Sequence, residues 1–204
     1  MSLKMTGWDI RNVRYDRSDF SYASLYGANA VGTNFTGVTA TKTEFSKADL
    51  QDAKFPGAVM EGARFFAVTA NGANFSDANI DYGDLREAKF IGGSFGGTSI
   101  TYGLCRGADF SASTAVGAIF DFAILNGASF DGALLSGASF VEADVSGASF
   151  RGARLQGANL ARMINSGLAD FSGACRSETT LLPPGLVLPL CEDAGRGPRL
   201  IDAP

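Results

Sequence analysis

Residues 123–160 read AILNG ASFDG ALLSG ASFVE ADVSG ASFRG ARLQG ANL. Each five-residue unit opens on a small side chain, reaches a large apolar one at its centre, and closes on polar residues or Gly. Outward from this stretch the same period holds from Ser18 to Leu160. Of the 29 positions that are multiples of five between Phe20 and Leu160, 13 are Phe, 7 Leu, 2 Ile and 4 Ala, and Met60, Cys105 and Val145 complete the set. The 29 positions two residues earlier, Ser18 to Ala158, hold only Ala, Gly, Ser, Thr or Val, and 19 are Ala. Of the 16 Phe, only Phe66 and Phe122 fall outside this register or its shifted continuation at Phe171.

A period of five fits neither common element. At 3.6 residues per turn the apolar set would smear around a helix, and a plain strand alternates every two residues. A chain that turns a corner after each short extended piece does fit. It points two side chains of each unit inward and three outward, with Gly near the corner, where unusual backbone angles strain it least. Repetition at fixed spacing also means that the chain grows along one axis and needs no globular core.

Units such as Ala48-Asp49-Leu50-Gln51-Asp52, Ala73-Asn74-Phe75-Ser76-Asp77 and Ala108-Asp109-Phe110-Ser111-Ala112 resemble the pentapeptide-repeat family, whose pattern is A(D/N)LXX. The resemblance covers residues 18–160 and implies an all-β fold, a right-handed quadrilateral β-helix with about 20 residues per coil and terminal caps. Coils spaced about 4.8 Å apart would give some seven to eight turns and a rod of roughly 35–40 Å. Its bore would be filled by Phe20, Phe35, Phe45, Phe55, Phe65, Phe75, Phe90, Phe95, Phe110, Phe120, Phe130, Phe140 and Phe150. Burying each is worth about 1.5–3 kcal/mol. Ala30, Ala40, Ala70 and Ala115 underfill the same positions.

The flanks set the domain organisation. Residues 1–17 keep a weak form of the phase, with Met5, Ile10 and Tyr15 central and Leu3, Trp8 and Val13 two before them. These larger residues predict a first coil that plugs the open end, as solenoid ends require. Residues 18–173 form the repeat. After Leu160 the phase slips by one, so that Phe171 rather than residue 170 is central, and the stretch 161–168 must absorb an extra residue. Residues 174–204 form a Pro-rich C-terminal cap and tail, since Pro belongs at the edge of a ladder or past it. Within it Thr179–Leu190 is expected to lie across the last coil, with Leu181, Leu182, Leu186 and Leu188 covering its apolar end. The phrase Leu182-Pro183-Pro184-Gly185-Leu186 resembles the closing segment of some bacterial and plastid members of the family. The last dozen residues are expected to fray.

Composition narrows the chemistry. The 204 residues contain no His, which removes the commonest general base and metal ligand. Ser and Thr then lack a triad partner, and no cofactor motif or CxxC is present. No enzyme activity, cofactor or metal is expected. A net charge of −4 argues against direct nucleic-acid binding. No apolar run approaches the ~20 residues of a membrane span, and residues 1–10 lack the apolar stretch of a signal peptide. Cys105 sits in the central register and reads as a small buried hydrophobe. Cys175 and Cys191 flank the Pro-rich cap. They read either as a disulfide, in a periplasmic or lumenal setting, or as free thiols in a reducing cytoplasm.

Function must then lie on the outward positions. At the 20-residue spacing Tyr82, Tyr102 and Phe122 share a column, with Leu104, Ile124 and Ile119 beside it and Val59 and Val116 nearby. An apolar strip where polar residues are expected points to an interface, with a partner protein or a second copy. The competing reading is an aromatic ladder that only reinforces the sheet. Residues 61–150 carry ten acids against four bases, and Glu61, Asp81 and Asp121 share another column. Some members of the resembled family mimic DNA and occupy DNA gyrase or topoisomerase IV, which gives an alternative, quinolone-resistance-like reading. Here the acid column is broken by Thr101 and Val141, and Arg86 and Arg106 interrupt the next face. The acids otherwise read as solubilising charges.

Overall fold

The computed structural model describes residues 3–191. Its backbone is a β-helix built from parallel bridges between residues 20 apart. They run without a break from Lys4↔Ser24 to Asp144↔Ile164 and fall at every fifth residue. A two-residue turn separates one bridge from the next, so each 20-residue coil has four turns. One bridge residue per side is too short for a conventional strand. Only near the C-terminal end do two residues pair in succession: β1 (Arg154–Leu155) lies parallel to β2 (Cys175–Arg176).

The unit Ala53-Lys54-Phe55-Pro56-Gly57 shows why the five positions differ. The N–H of Phe55 donates to Asn74 O (2.7 Å) and that of Gly57 to Ser76 O (2.9 Å), both in the next coil. The N–H of Lys54 donates to Thr33 O (2.9 Å) in the previous coil, and Ala58 N–H closes the turn onto Phe55 O (3.1 Å). Only the first turn residue has no backbone acceptor, and here it is Pro56, which has no N–H to satisfy. At many other turns a side chain accepts that N–H. It is often the Asn or Asp two residues earlier, as in Ser76 N to Asn74 Oδ1 (2.9 Å) and Ser111 N to Asp109 Oδ1 (2.9 Å). The D/N of the repeat is thus a local cap of the turn.

The second turn residue has a positive φ at every position from Gly7 to Gly157, which is 31 sites. Gly fills 17 of them and other residues the remaining 14. Inside, all thirteen Phe of the central register are buried. Rings one coil apart stack, as Phe35–Phe55 (4.8 Å), Phe55–Phe75 (4.9 Å) and Phe110–Phe130 (5.1 Å) do, and rings on neighbouring sides meet edge to face. Where Thr replaces Ala beside this core, its hydroxyl donates to a central carbonyl of the previous coil. Thr33 reaches Ile10 O (2.6 Å), Thr43 reaches Phe20 O (2.7 Å) and Thr98 reaches Phe75 O (2.7 Å). Ser113 Oγ makes no such bond and is the one buried side-chain polar atom without a partner among the described residues.

The ends depart from the sequence expectations only at Leu181. Leu3, Trp8 and Val13 are exposed while Met5 and Ile10 are buried. The first coil keeps the common register, so the exposed side chains stand where buried Ala23, Ala28 and Thr33 stand one coil on, and they are uncovered at the N-terminal end of the ladder. At the other end the extra residue is taken up by Asn165, at φ 59°, and a short 3-10 turn, Ser166–Leu168. Bridge spacing accordingly changes to 21 at Ser149↔Asp170. Leu188 is buried, and Leu182 and Leu186 pack against the core. Leu181 instead continues the ladder opposite Asn159, which turns its side chain outward. The expected fraying of the last dozen residues lies outside the described residues.

Candidate protein interface

One turn of the four differs from the rest. Its second residues are Tyr22, Lys42, Gly62, Tyr82, Tyr102, Phe122 and Glu142, and all have positive φ. The other three turns, stacked in the same way, hold mostly Gly. All four aromatic residues in this strained position of the chain, Tyr22 included, lie in this one column. An L side chain held there costs about 1–2 kcal/mol that Gly would avoid.

Tyr82, Tyr102 and Phe122 form a continuous stack, with ring centroids 5.2 and 4.9 Å apart and planes within 6 and 14°. They remain 58, 46 and 38% exposed. Leu104 and Ile124 bridge each other on one side of this edge. Ile119 bridges Ser99 on the other, and Val59 and Val116 lie on the same side as Ile119. All are exposed. The structure therefore brings together the six residues singled out in the sequence. Beside Leu104 stands Asp84, its pKa lowered chiefly by the hydrogen bond from Arg86. Arg86 also covers Phe66, the other off-register Phe, at 5.7 Å from its ring centre. Phe66 is thereby accounted for within the chain.

The acids are more structural than the sequence suggests. Asp81 Oδ1 accepts from Thr101 N (2.9 Å) and Ser99 Oγ (2.5 Å), and Asp121 Oδ1 accepts from Val141 N (2.9 Å) and Ser139 Oγ (2.5 Å). Asp131 does the same for Arg151 N (3.0 Å) and Ser149 Oγ. Each satisfies a first-turn N–H one coil onward, so these carboxylates tie coil to coil besides solubilising the rod.

Cys175 and Cys191 are joined in a disulfide across 4.7 Å between Cα atoms, which pins β2 to the end of the Pro-rich segment. Cys105 is fully buried, and burial pushes its thiol pKa up. Among the described residues no group of His, Cys, Asp and Glu has the disposition of a metal site, and no helix is long and apolar enough to cross a membrane.

The family model for pentapeptide repeats matches in eight copies over residues 18–57, 43–80, 71–101, 104–140 and 128–162. No curated protein matches the sequence. Among solved structures, a trypsin-treated variant of QnrB1, a plasmid-mediated fluoroquinolone resistance protein, superposes with a TM-score of 0.67. It is 18% identical, over 86% of this chain and 92% of its own. HetL, a pentapeptide repeat protein involved in heterocyst differentiation regulation from the cyanobacterium Nostoc, gives 0.46 at 23% identity over 91 and 92%. A pentapeptide repeat protein from the Arabidopsis thaliana thylakoid lumen gives 0.39 at 28% over 49 and 70%. The period of five, the bridges at 20 and the match of the repeat model over most of the length agree: the chain belongs to the pentapeptide repeat family.

Proposed function

We propose that this protein is a non-enzymatic scaffold that binds another protein through the edge formed by Tyr82, Tyr102 and Phe122, with Leu104, Ile124 and Ile119 beside it. One observation carries the reading. Large exposed aromatics occupy a positive-φ position that Gly fills at most sites on the other turns. A stacking ladder alone could have been built on any unstrained outward position. Strain and exposure together are the mark of a surface kept for recognition. The test is affinity capture and light scattering with Tyr102→Glu. Loss of a captured partner or of self-association supports the reading, and unchanged mass with unchanged partners refutes it.

In finer detail we take the solenoid as a right-handed quadrilateral β-helix of seven to eight coils. The four turns per 20-residue step support the four sides. We assign residues 1–17 to an N-terminal coil, 18–173 to the repeat and 174–204 to the cap and tail. The DNA-mimic alternative, a protein that occupies gyrase or topoisomerase IV, is supported only by likeness of fold to QnrB1. Against it, Asp81 and Asp121 spend their carboxylates on the next coil's backbone, while Asp84 and Glu142 are paired with Arg86 and Arg162. The disulfide favours an oxidising compartment, periplasmic or lumenal, over a reducing cytoplasm.

A further inference from the structure

We infer that the occupant of the aromatic edge is a second copy of this chain, lying antiparallel in one definite register; this rests on the edge being a binding surface. The column reads Lys42, Gly62, Tyr82, Tyr102, Phe122, Glu142 along the rod, with Tyr22 before it and Arg162 after. A two-fold axis crossing midway between Tyr82 and Tyr102 places Tyr82 against Tyr102 of the second copy. The same operation sets Gly62 against Phe122 and Lys42 against Glu142. This column of second-turn residues is therefore self-complementary in size and in charge.

The local structure suits each meeting. Lys42 leans over Gly62, so that a Cβ at Gly62 would stand 3.2 Å from Lys42 Cγ. The step beside Tyr82 is thus floored by methylenes, an apolar seat for the ring of Phe122. The Lys42 ammonium, carried past that step, meets Glu142 of the second copy. Arg162, which pairs with Glu142 in its own chain, comes opposite the ring of Tyr22. On the adjoining face the same axis opposes Val59 to Ile119, two exposed apolar residues. The bridge positions of that face between Thr39 and Asn159 carry no charge.

Other arrangements fit worse. A parallel pair sets Lys42 on Lys42 and Glu142 on Glu142. Moving the axis onto Tyr102 sets Lys42 on Arg162. Like charges brought face to face are destabilising, so within this column the midway axis is preferred, while beside it the same axis opposes Glu61 to Asp121 and Glu44 to Asp144. From Lys42 to Glu142 the contact spans five coil spacings, about 24 Å, and apolar rings sit at its centre with a charge pair at each end, the usual anatomy of an interface.

Sedimentation velocity of the full chain, run from low to high micromolar protein, tests this. The wild type is expected to reach a dimer. Lys42→Glu and Glu142→Lys are each expected to weaken it about tenfold, a loss of 1.4 kcal/mol, and the double exchange to restore it. Circular dichroism melts of the single variants report that the fold is kept. A wild type that stays monomeric overturns the second copy as occupant, while the binding edge itself is still judged by capture with Tyr102→Glu. A dimer indifferent to the single exchanges, or not rescued by the double one, overturns the register.

Discussion

Replacing Tyr102 by Ala and by Gly should give an inverted order of stability. At most positions Ala is the better residue, because Gly leaves the unfolded chain freer by about 0.4–1 kcal/mol. Tyr102, however, sits at φ 57°. Ala keeps the strain of that backbone, about 1–2 kcal/mol, and Gly releases it. Both variants lose the same ring stacks on Tyr82 and Phe122, so those terms cancel between them. The difference left over is about 0.8 kcal/mol in favour of Gly, from central values of the two opposing terms. In a chain of this size that is a rise of about 2–3 °C in melting temperature of Gly over Ala. Paired thermal and urea unfolding of the two variants measures it, alongside their association. Both should lose binding while differing in stability. If Ala equals or exceeds Gly, the edge is not strained, and the argument that its aromatics are kept for recognition fails.

Phe110→Ala removes a ring stacked on Phe90 and Phe130 and should destabilise the rod by about 3–5 kcal/mol, read by urea unfolding. Ser113→Ala deletes the unpartnered buried hydroxyl and should raise stability by about 1 kcal/mol in the same assay. Reduction of Cys175–Cys191, 16 residues apart, should loosen the cap by about 3 kcal/mol, seen as earlier amide exchange over residues 174–190, while Cys105 stays unreactive to thiol reagents until global unfolding. Burial would raise the pKa of Asp144, but hydrogen bonds from Asn165, Asn126 and Ser146 outweigh it and hold it at about 2. Because the folded value lies below the ordinary 3.8, its stabilising contribution is complete above that pH and disappears as pH falls towards 2. Asp144→Asn should flatten that part of an acid-unfolding curve.

The interior was legible because burial writes directly into residue type. A Phe at every suitable multiple of five has no other outlet, and thirteen of them lie in the bore. The slip after Leu160 was visible as a broken phase, although nothing in the letters announced the 3-10 turn that absorbs it. Exposed positions are less constrained, and there the sequence misled. Leu181 looks like cap material, but the ladder continues through it and fixes its direction before hydrophobicity can act. Asp81 and Asp121 look like solvating charge until the next coil brings Thr101 and Val141 N–H groups against them. That contact is 20 residues away and has no local signature. The aromatic column was found by counting in twenties, but its backbone strain depends on φ, which composition does not report.

The turns repeat every five residues, but the surface repeats only every twenty. An insertion or deletion of five residues would leave the bore correctly filled, yet rotate everything beyond it by a quarter turn and split the ridge of Tyr82, Tyr102 and Phe122 between two sides. Gain or loss of a whole coil only lengthens or shortens the ridge. The fold therefore tolerates length changes in small steps, whereas any role carried along one edge confines its evolution to steps four times larger.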